Sequence, residues 1–300
     1  MLFGVALPNY GTLAAPETLI RLARLAEDLG VDSVWVSDHL VAPVGVRSIY
    51  PYDRRPNPQP GDMGVIEEFY EPAITLAWLA GQTTRARLGI SAYVMPYRNP
   101  VVTAKQMATL DRLAGGRLIL AIGSGWLAEE FDALNVPFAR RGRRTEEYVE
   151  VCKALWAGGE ARFAGATYAL PPVRTGPRAA PHPPLWIAGN SDAALARAAR
   201  VGDGWHGIDL SPEELAPIAA RARARAAESG KPSFTVSLRK GVLPGGPPGR
   251  PLYGDRDTIR RDLERYRTAG LDYLVAGLRQ ARSADDAARA LEEVAGAFGA

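Results

Sequence analysis

Residues 34–40, VWVSDHL, run an apolar, β-prone segment straight into an acid and an imidazole. Read with the residues just before it, DSVWVS (32–37) is a buried strand, and Asp38 and His39 stand where that strand ends. Working outward, LFGVAL (2–7) reads as a preceding strand. Between the two, Pro16 opens a helix in which Leu19, Leu22, Ala23, Ala26 and Leu29 recur at three and four residues, and Gly30 ends it.

The same strand-then-helix unit continues down the chain. Helix 71–83 and strand ARLGISA (86–92) are followed by helix 100–114 and strand RLILAIG (117–123). After the helix around RTEEYVEVCKALW come strand PLWIAG, helix DAALARAAR, strand DGWHGI and helix 211–228. FTVSLRKGVL with helix 255–269, and LDYLVAGL with helix 283–297, complete eight units. Eight such units close a (β/α)8 barrel, a TIM-barrel fold in the α/β class, read as one domain over 1–300. Barrels of this kind carry their chemistry in the loops after the strand C-termini. Three of those loops, 37–70, 124–143 and 157–183, are longer than a barrel needs and read as walls and lid of a pocket.

Composition narrows the function. With 47% hydrophobic residues over 300 positions there is ample chain for a core. One cysteine, Cys152, excludes a disulfide framework or multi-cysteine metal site, and the three histidines lack ligand spacing, so no metal is expected. Cys152 itself, on an amphipathic helix, reads as a small core residue. The net charge of +3 comes from arginines interleaved with acids, as in RRDLERYR, which argues against a nucleic-acid stripe. No secretory signal pattern and no run of about 18 apolar residues is present, so a cytoplasmic protein without membrane association is expected.

Several strand ends carry candidate site residues. His39, of a residue type that exchanges protons near neutrality, suits general acid–base work, and the Asp38 carboxylate beside it can tune or orient the site, although a loop cap and a surface imidazole would explain them too. ISAYVMPYRNP (90–100) packs aromatic residues and an arginine where a solvated turn belongs; Tyr93, Met95 and Tyr97 suit a flat conjugated ring, and Arg98 an anionic group. In GSGW (123–126), Gly123 and Gly125 permit close backbone approach and Trp126 faces the same end, but the stretch is neither a P-loop nor a dinucleotide fingerprint. WIAGNSDAALARAAR places Gly189, Asn190 and Ser191 at a helix N-terminus, which holds a phosphate or is simply capped; Asp192 would oppose an anion if it faced inward. His206, at the sixth strand end, faces the pocket or packs, and His182 reads as a loop residue. Arg47, Arg54 and Arg55 lie in the first long loop on the same face. Of the few lysines only Lys240 is near a strand end, which disfavours an aldolase-type barrel.

Taken together, GVDSVWVSDHL, PYRNPVVTAKQMATLDRLAGGRLILAIGSGW, EEFDALNVPFARRGRRTEEYVEVCKALW and PPLWIAGNSDAALARAARVGDGW resemble the luciferase-like monooxygenase superfamily, in particular the branch that uses the deazaflavin coenzyme F420. The resemblance covers almost the whole chain. It implies a flavin-type ring at the barrel mouth, backed by a bulge with a non-proline cis peptide, here Ser91–Ala92. Asp38 and His39 match the ring-contacting and proton-handling pair, and Gly189, Asn190 and Ser191 match the loop that takes the cofactor phosphate. On the same resemblance Ser91, Ala92, Tyr93, Gly123 and Gly125 would contact cofactor, and Trp126, Tyr97, Arg98 and His206 would border the substrate. Where the glucose-6-phosphate-oxidising branch has a glutamate this chain has Trp126, and it has Pro43 near that branch's tryptophan, so sugar-phosphate oxidation is not implied. The activity implied is hydride transfer between F420 and a small organic substrate. The alternatives are an FMN-dependent monooxygenase fed by a separate cofactor reductase and using dioxygen, and a non-catalytic flavin-binding barrel. A homodimer is the expected assembly.

Overall fold

A computed structural model describes residues 1–61, 67–247 and 249–299. Strands β1 (Leu2–Ala6), β2 (Ser33–Val36), β3 (Arg87–Val94) and β4 (Leu118–Gly123) pair in parallel in chain order. A hairpin of β5 (Ala161–Ala164) and β6 (Ala169–Val173) stands apart from them. The sheet continues through β7 (Leu185–Ala188), β8 (Gly204–Ile208) and β9 (Thr235–Pro244), with the short β10 (Tyr253–Gly254) added beside the far end of β9. Strand β11 (Tyr273–Leu278) lies between β9 and β1, and β8 pairs with β9. The eight strands β1, β2, β3, β4, β7, β8, β9 and β11 thereby form a closed parallel ring, the (β/α)8 barrel that the eight units imply.

Helices α1 (Pro16–Asp28), α2 (Pro72–Ala80) and α3 (Pro100–Leu113) each begin with proline, whose missing N–H costs nothing in a first turn. After the short α4 (Ala128–Ala133) come α5 (Arg141–Ala157), α6 (Asp192–Val201) and α7 (Pro212–Glu228), the last opened by a Ser211–Glu214 capping box. Helices α8 (Arg256–Thr268) and α9 (Ala284–Phe298) finish the ring. Among the described residues no helix is long and apolar enough to cross a membrane.

The barrel interior is packed in layers. Trp35, Ile119, Ala121, Trp186, Tyr273 and Val275 fill its lower part. Trp35 fits because β1 and β3 have no side chain opposite it: a Cβ on Gly89 would lie 2.2 Å from the indole, and one on Gly4 2.5 Å from its Nε1. Outside the strands, Leu19, Leu22, Leu76, Met107, Leu195 and Leu291 carry the helix layer, all fully buried.

Two of the three long loops contain regular structure that periodicity misses. The 157–183 segment, expected to be irregular, holds the β5–β6 hairpin, and 124–143 holds α4. The hairpin turn is fixed from below by Glu147 of α5, whose carboxylate accepts the amides of Ala166 (2.9 Å) and Thr167 (2.8 Å) and the Thr167 hydroxyl (2.7 Å). In the 37–70 loop, residues 62–66 lie outside the described residues.

Candidate active site at the barrel mouth

Because the ring is parallel, the ends of β2, β3, β4, β7, β8 and β9 share one rim. Asn9 fixes the β2 end there, its side-chain amide accepting from the Ser37 amide and donating to the Ser37 carbonyl, both at 2.9 Å. That clamp sets the two residues that follow.

They point to different fates. Asp38 is 4% exposed. One of its oxygens accepts the Val94 amide and Arg98 Nη1, and the other accepts Arg98 Nη2, all at 2.8 Å. With both oxygens taken by this ion pair and the Val94 amide, Asp38, expected to tune or orient the site beside His39, ties the β2 end to the β3 end. Arg98 is accordingly spent on Asp38 and on Glu71 (3.0 Å) rather than facing a substrate. Its guanidinium also covers the ring of Tyr93, whose hydroxyl meets Thr103, so neither of those side chains opens to the mouth.

His39 does open to it, with its side chain 30% exposed. Its Nδ1 lies 2.8 Å from Glu130 of α4, a fully buried carboxylate that also accepts the amides of Leu40 and Val41 and the Tyr97 hydroxyl (2.7 Å). Burial alone would raise the Glu130 carboxyl, but the bond and charge of His39, the Leu40 amide and the Tyr97 hydroxyl bring it below the ordinary carboxylate value. An ionised Glu130 only accepts, so Nδ1 carries a proton and donates it, leaving Nε2 to take or give one. Tyr97, expected beside a substrate, instead serves Glu130 and is buried.

Of the two readings of His206, facing the pocket or packing, the second holds. It is fully buried, stacked over Trp35 at 6.0 Å and 10°. The Ser237 hydroxyl donates to the Trp205 carbonyl (3.1 Å), so it accepts from His206 Nδ1 (2.8 Å), and Nε2 accepts from the Ser91 hydroxyl (2.8 Å). Burial, with Arg239 adding, pushes this imidazole down to about 3, so it is neutral and supports the β3 end without reaching the mouth. The Ser91–Ala92 peptide bond is cis, as the resemblance implies, and β3 bulges there against β4.

On the β4–β7 side lies a cavity of about 230 Å³, lined by Ser124, Gly189, Ser191 and Ala194, with Tyr52, Arg141 and Arg197 closing it. Gly189, at φ +125°, is held where a Cβ would press on Ala194 at 3.0 Å. Asn190 clamps the β8 end through Ile208 (2.8 and 2.9 Å), and Ser191 caps α6. Asp192 turns outward to Arg221 and Arg225 of α7, so it leaves the helix N-terminus free of negative charge on the cavity side. Arg141 spends its Nε on the Gly125 carbonyl (2.9 Å) and stacks on Phe138 at 3.8 Å; Arg197 spends its Nε on the Gly142 carbonyl (3.0 Å). Neither pairs with a carboxylate among the described residues, and burial pushes both guanidiniums below their ordinary value. Two desolvated cations beside a helix N-terminus are chemistry that suits an anion. Gly123 and Gly125 lie behind it, where a Cβ on Gly125 would strike the Phe131 ring at 2.6 Å.

Aromatic rings connect the two places. Trp126 meets His39 edge-on (6.3 Å), Tyr50 meets Trp126 (5.1 Å), and Tyr52, which reaches the cavity, meets Tyr50 (5.4 Å). The loop carrying both tyrosines is fastened at Ser48, which donates to Glu129 (2.8 Å), and at Arg54, which grips Glu214 (2.7 and 2.9 Å).

The profile of the luciferase-like monooxygenase family matches residues 1–298. The chain belongs to that family. Among relatives of this luciferase-like chain, an uncharacterized protein of Mycobacterium tuberculosis is 35% identical over 214 residues, 71% of this chain and 73% of that one. The F420-dependent glucose-6-phosphate dehydrogenase of Kineococcus radiotolerans is 33% identical over 212 residues, 68% of this chain and 57% of that one. The crystal structure of monooxygenase RslO1 from Streptomyces bottropensis superposes with a TM-score of 0.79 at 22% identity, over 99% of this chain and 98% of that one.

Sequence reasoning missed Glu130, Arg141, Arg197, Tyr50 and Tyr52. Arg197 carried a signal: it lies three and four residues beyond Ala194 and Ala193, on the face of α6 that meets the anion cavity.

Proposed function

We propose that this luciferase-like protein is an F420-dependent oxidoreductase that moves a hydride between the deazaflavin and a small organic substrate, with His39 handling the accompanying proton. The observation that carries it is the oriented imidazole, Glu130 behind and Nε2 forward, joined by Trp126, Tyr50 and Tyr52 to an arginine-lined anion cavity. Arg141, Arg197, Ser191 and the Gly189 turn would hold the cofactor phosphate, and the bound ring would supply the redox chemistry. The protein's own part is to position, to exclude water beneath Tyr50 and Tyr52, and to exchange a proton at Nε2. F420 is preferred to FMN because the glucose-6-phosphate dehydrogenase of 33% identity is F420-dependent by name. Two copies are proposed to pair, which sedimentation of the purified protein checks.

Titrating the protein with F420 and with FMN, followed by visible absorbance, tests the reading. Micromolar binding of F420 is expected; binding of FMN alone would move the protein to the oxygen-using monooxygenases. His39→Ala should lower turnover by roughly 10²- to 10⁴-fold while cofactor affinity stays within about tenfold. Unchanged turnover would remove His39 from the chemistry, and absence of any turnover in the loaded wild type would favour a cofactor-binding barrel.

A further inference from the structure

Across the mouth from the anion cavity a second set of cations stands without counter-ions. Arg239 leaves β9 and spans the barrel to β2 and β3, where its Nη1 donates to the Ser37 hydroxyl (2.8 Å) and to the Ser91 carbonyl. A guanidinium has five N–H donors, so those on Nε and Nη2, three in all, have no protein partner among the described residues. They are not sealed in, because no buried side-chain nitrogen of the described residues lacks a hydrogen bond. These donors therefore reach space that a ligand can enter.

Arg279 follows β11, the strand paired with β9, and its side chain lies along Gly241, where a Cβ would sit 2.5 Å from its Nε. Its guanidinium has no carboxylate or carbonyl partner among the described residues. The nearby acid is not available to either arginine: Asp209 is held by Lys240 at 2.7 Å and lies 4.0 Å from Arg54. Arg239, bonded to the Ser37 hydroxyl two residues before His39, stands at the same strand end as the imidazole, and Arg279 lies against Gly241, two residues further along β9. Neither belongs to the lining of the cavity of Arg141 and Arg197.

We propose that Arg239 and Arg279 form a second oxyanion site, which takes the acidic group of the substrate and holds it on the β9–β11 side of the mouth. This inference rests on the reading of the mouth as an active site. Two cations without counter-ions favour an oxyanion over a neutral group, and the open Nε–Nη2 edge of Arg239 fits two oxygens of one carboxylate, sulfonate or phosphate. An apolar alcohol or alkane would leave those donors unmatched.

Calorimetric titration of the full-length, ligand-free protein with inorganic phosphate at low ionic strength tests it. The wild type should bind two phosphates. Arg197→Met should remove one, and Arg239→Met or Arg279→Met should each weaken the other at least tenfold. Arg279 is exposed, so its replacement folds irrespective of the mouth, and Arg239→Lys should recover part of the affinity lost in Arg239→Met. Competition by methyl phosphate, methanesulfonate and acetate then ranks the head groups of the acidic substrate. A wild type with a single site that answers only to Arg197→Met, or a second site that survives both mouth substitutions, overturns the proposal. Two sites with the first indifferent to Arg197→Met would instead count against the cofactor-phosphate reading and leave this one standing.

Discussion

Glu130 decides which nitrogen of His39 meets the mouth. Its buried carboxylate accepts four hydrogen bonds, and only one of them comes from the imidazole; the Leu40 and Val41 amides and Tyr97 hold it in place for that purpose. Glu130→Gln keeps the shape but replaces a group that only accepts by one that can also donate, so Nδ1 is no longer assured of its acceptor. We expect turnover to fall roughly 10- to 100-fold through loss of orientation and cofactor affinity to change little. Unchanged turnover would reduce Glu130 to a packing role. At this scale the sequence was half legible. His39 announced itself by its place at a strand end, but of the two adjacent acids on α4 one faces Ser48 and the other His39, and only the path of the 37–70 loop decides which. Asp38 misled because position and residue type suit catalysis, while its burial under Arg98 depends on a partner sixty residues away.

Among elements, the strand-then-helix units were readable because each has its own period and its own stop signals, and observed bounds fall close to those expected. The β5–β6 hairpin was not, since ALPPV (169–173) contains two prolines, which cannot donate to a ladder and argue against a strand. It forms as a two-stranded ribbon outside the barrel, where such donors are not required of a central strand, and it is fixed by Glu147. That carboxyl is brought down to about 2: burial opposes this, but the Thr167 and Arg143 side chains and the hairpin amides prevail. A depressed carboxyl contributes stability above its unfolded value of 4.5 that is lost as pH falls toward 2. Glu147→Gln should therefore destabilise the protein by about 1–3 kcal/mol near neutrality. Thermal melts of the two proteins should converge between about pH 4.5 and 2; a constant gap would mean the loss is one of packing.

For the molecule as a whole, closure of the ring followed from counting units, and the interior shows what closure demands. Trp35 occupies space that Gly4 and Gly89 vacate, so Gly89→Ala places a methyl inside an indole that parallel-stacked neighbours Trp186 and His206 keep from moving. Overpacking of this kind costs ~1–3 kcal/mol or more. A urea midpoint well below that of the wild type is expected; an unshifted one would show the barrel interior to be more accommodating than its contacts imply. What no local pattern revealed is the assembly of the mouth, because its working pairs join distant segments, His39 with Glu130 and Ser37 with Arg239.

The loop that carries Tyr50 and Tyr52 is buttoned down on both flanks, at Glu129 and at Glu214, and its rings run from the imidazole to the arginine-lined cavity. Such a bridge admits a long molecule only by threading or by unbuttoning, whereas a short one can enter on the imidazole side and leave it fastened. Exchange at this mouth should therefore be slower for a ligand that reaches past Tyr52 than for one that stops at His39.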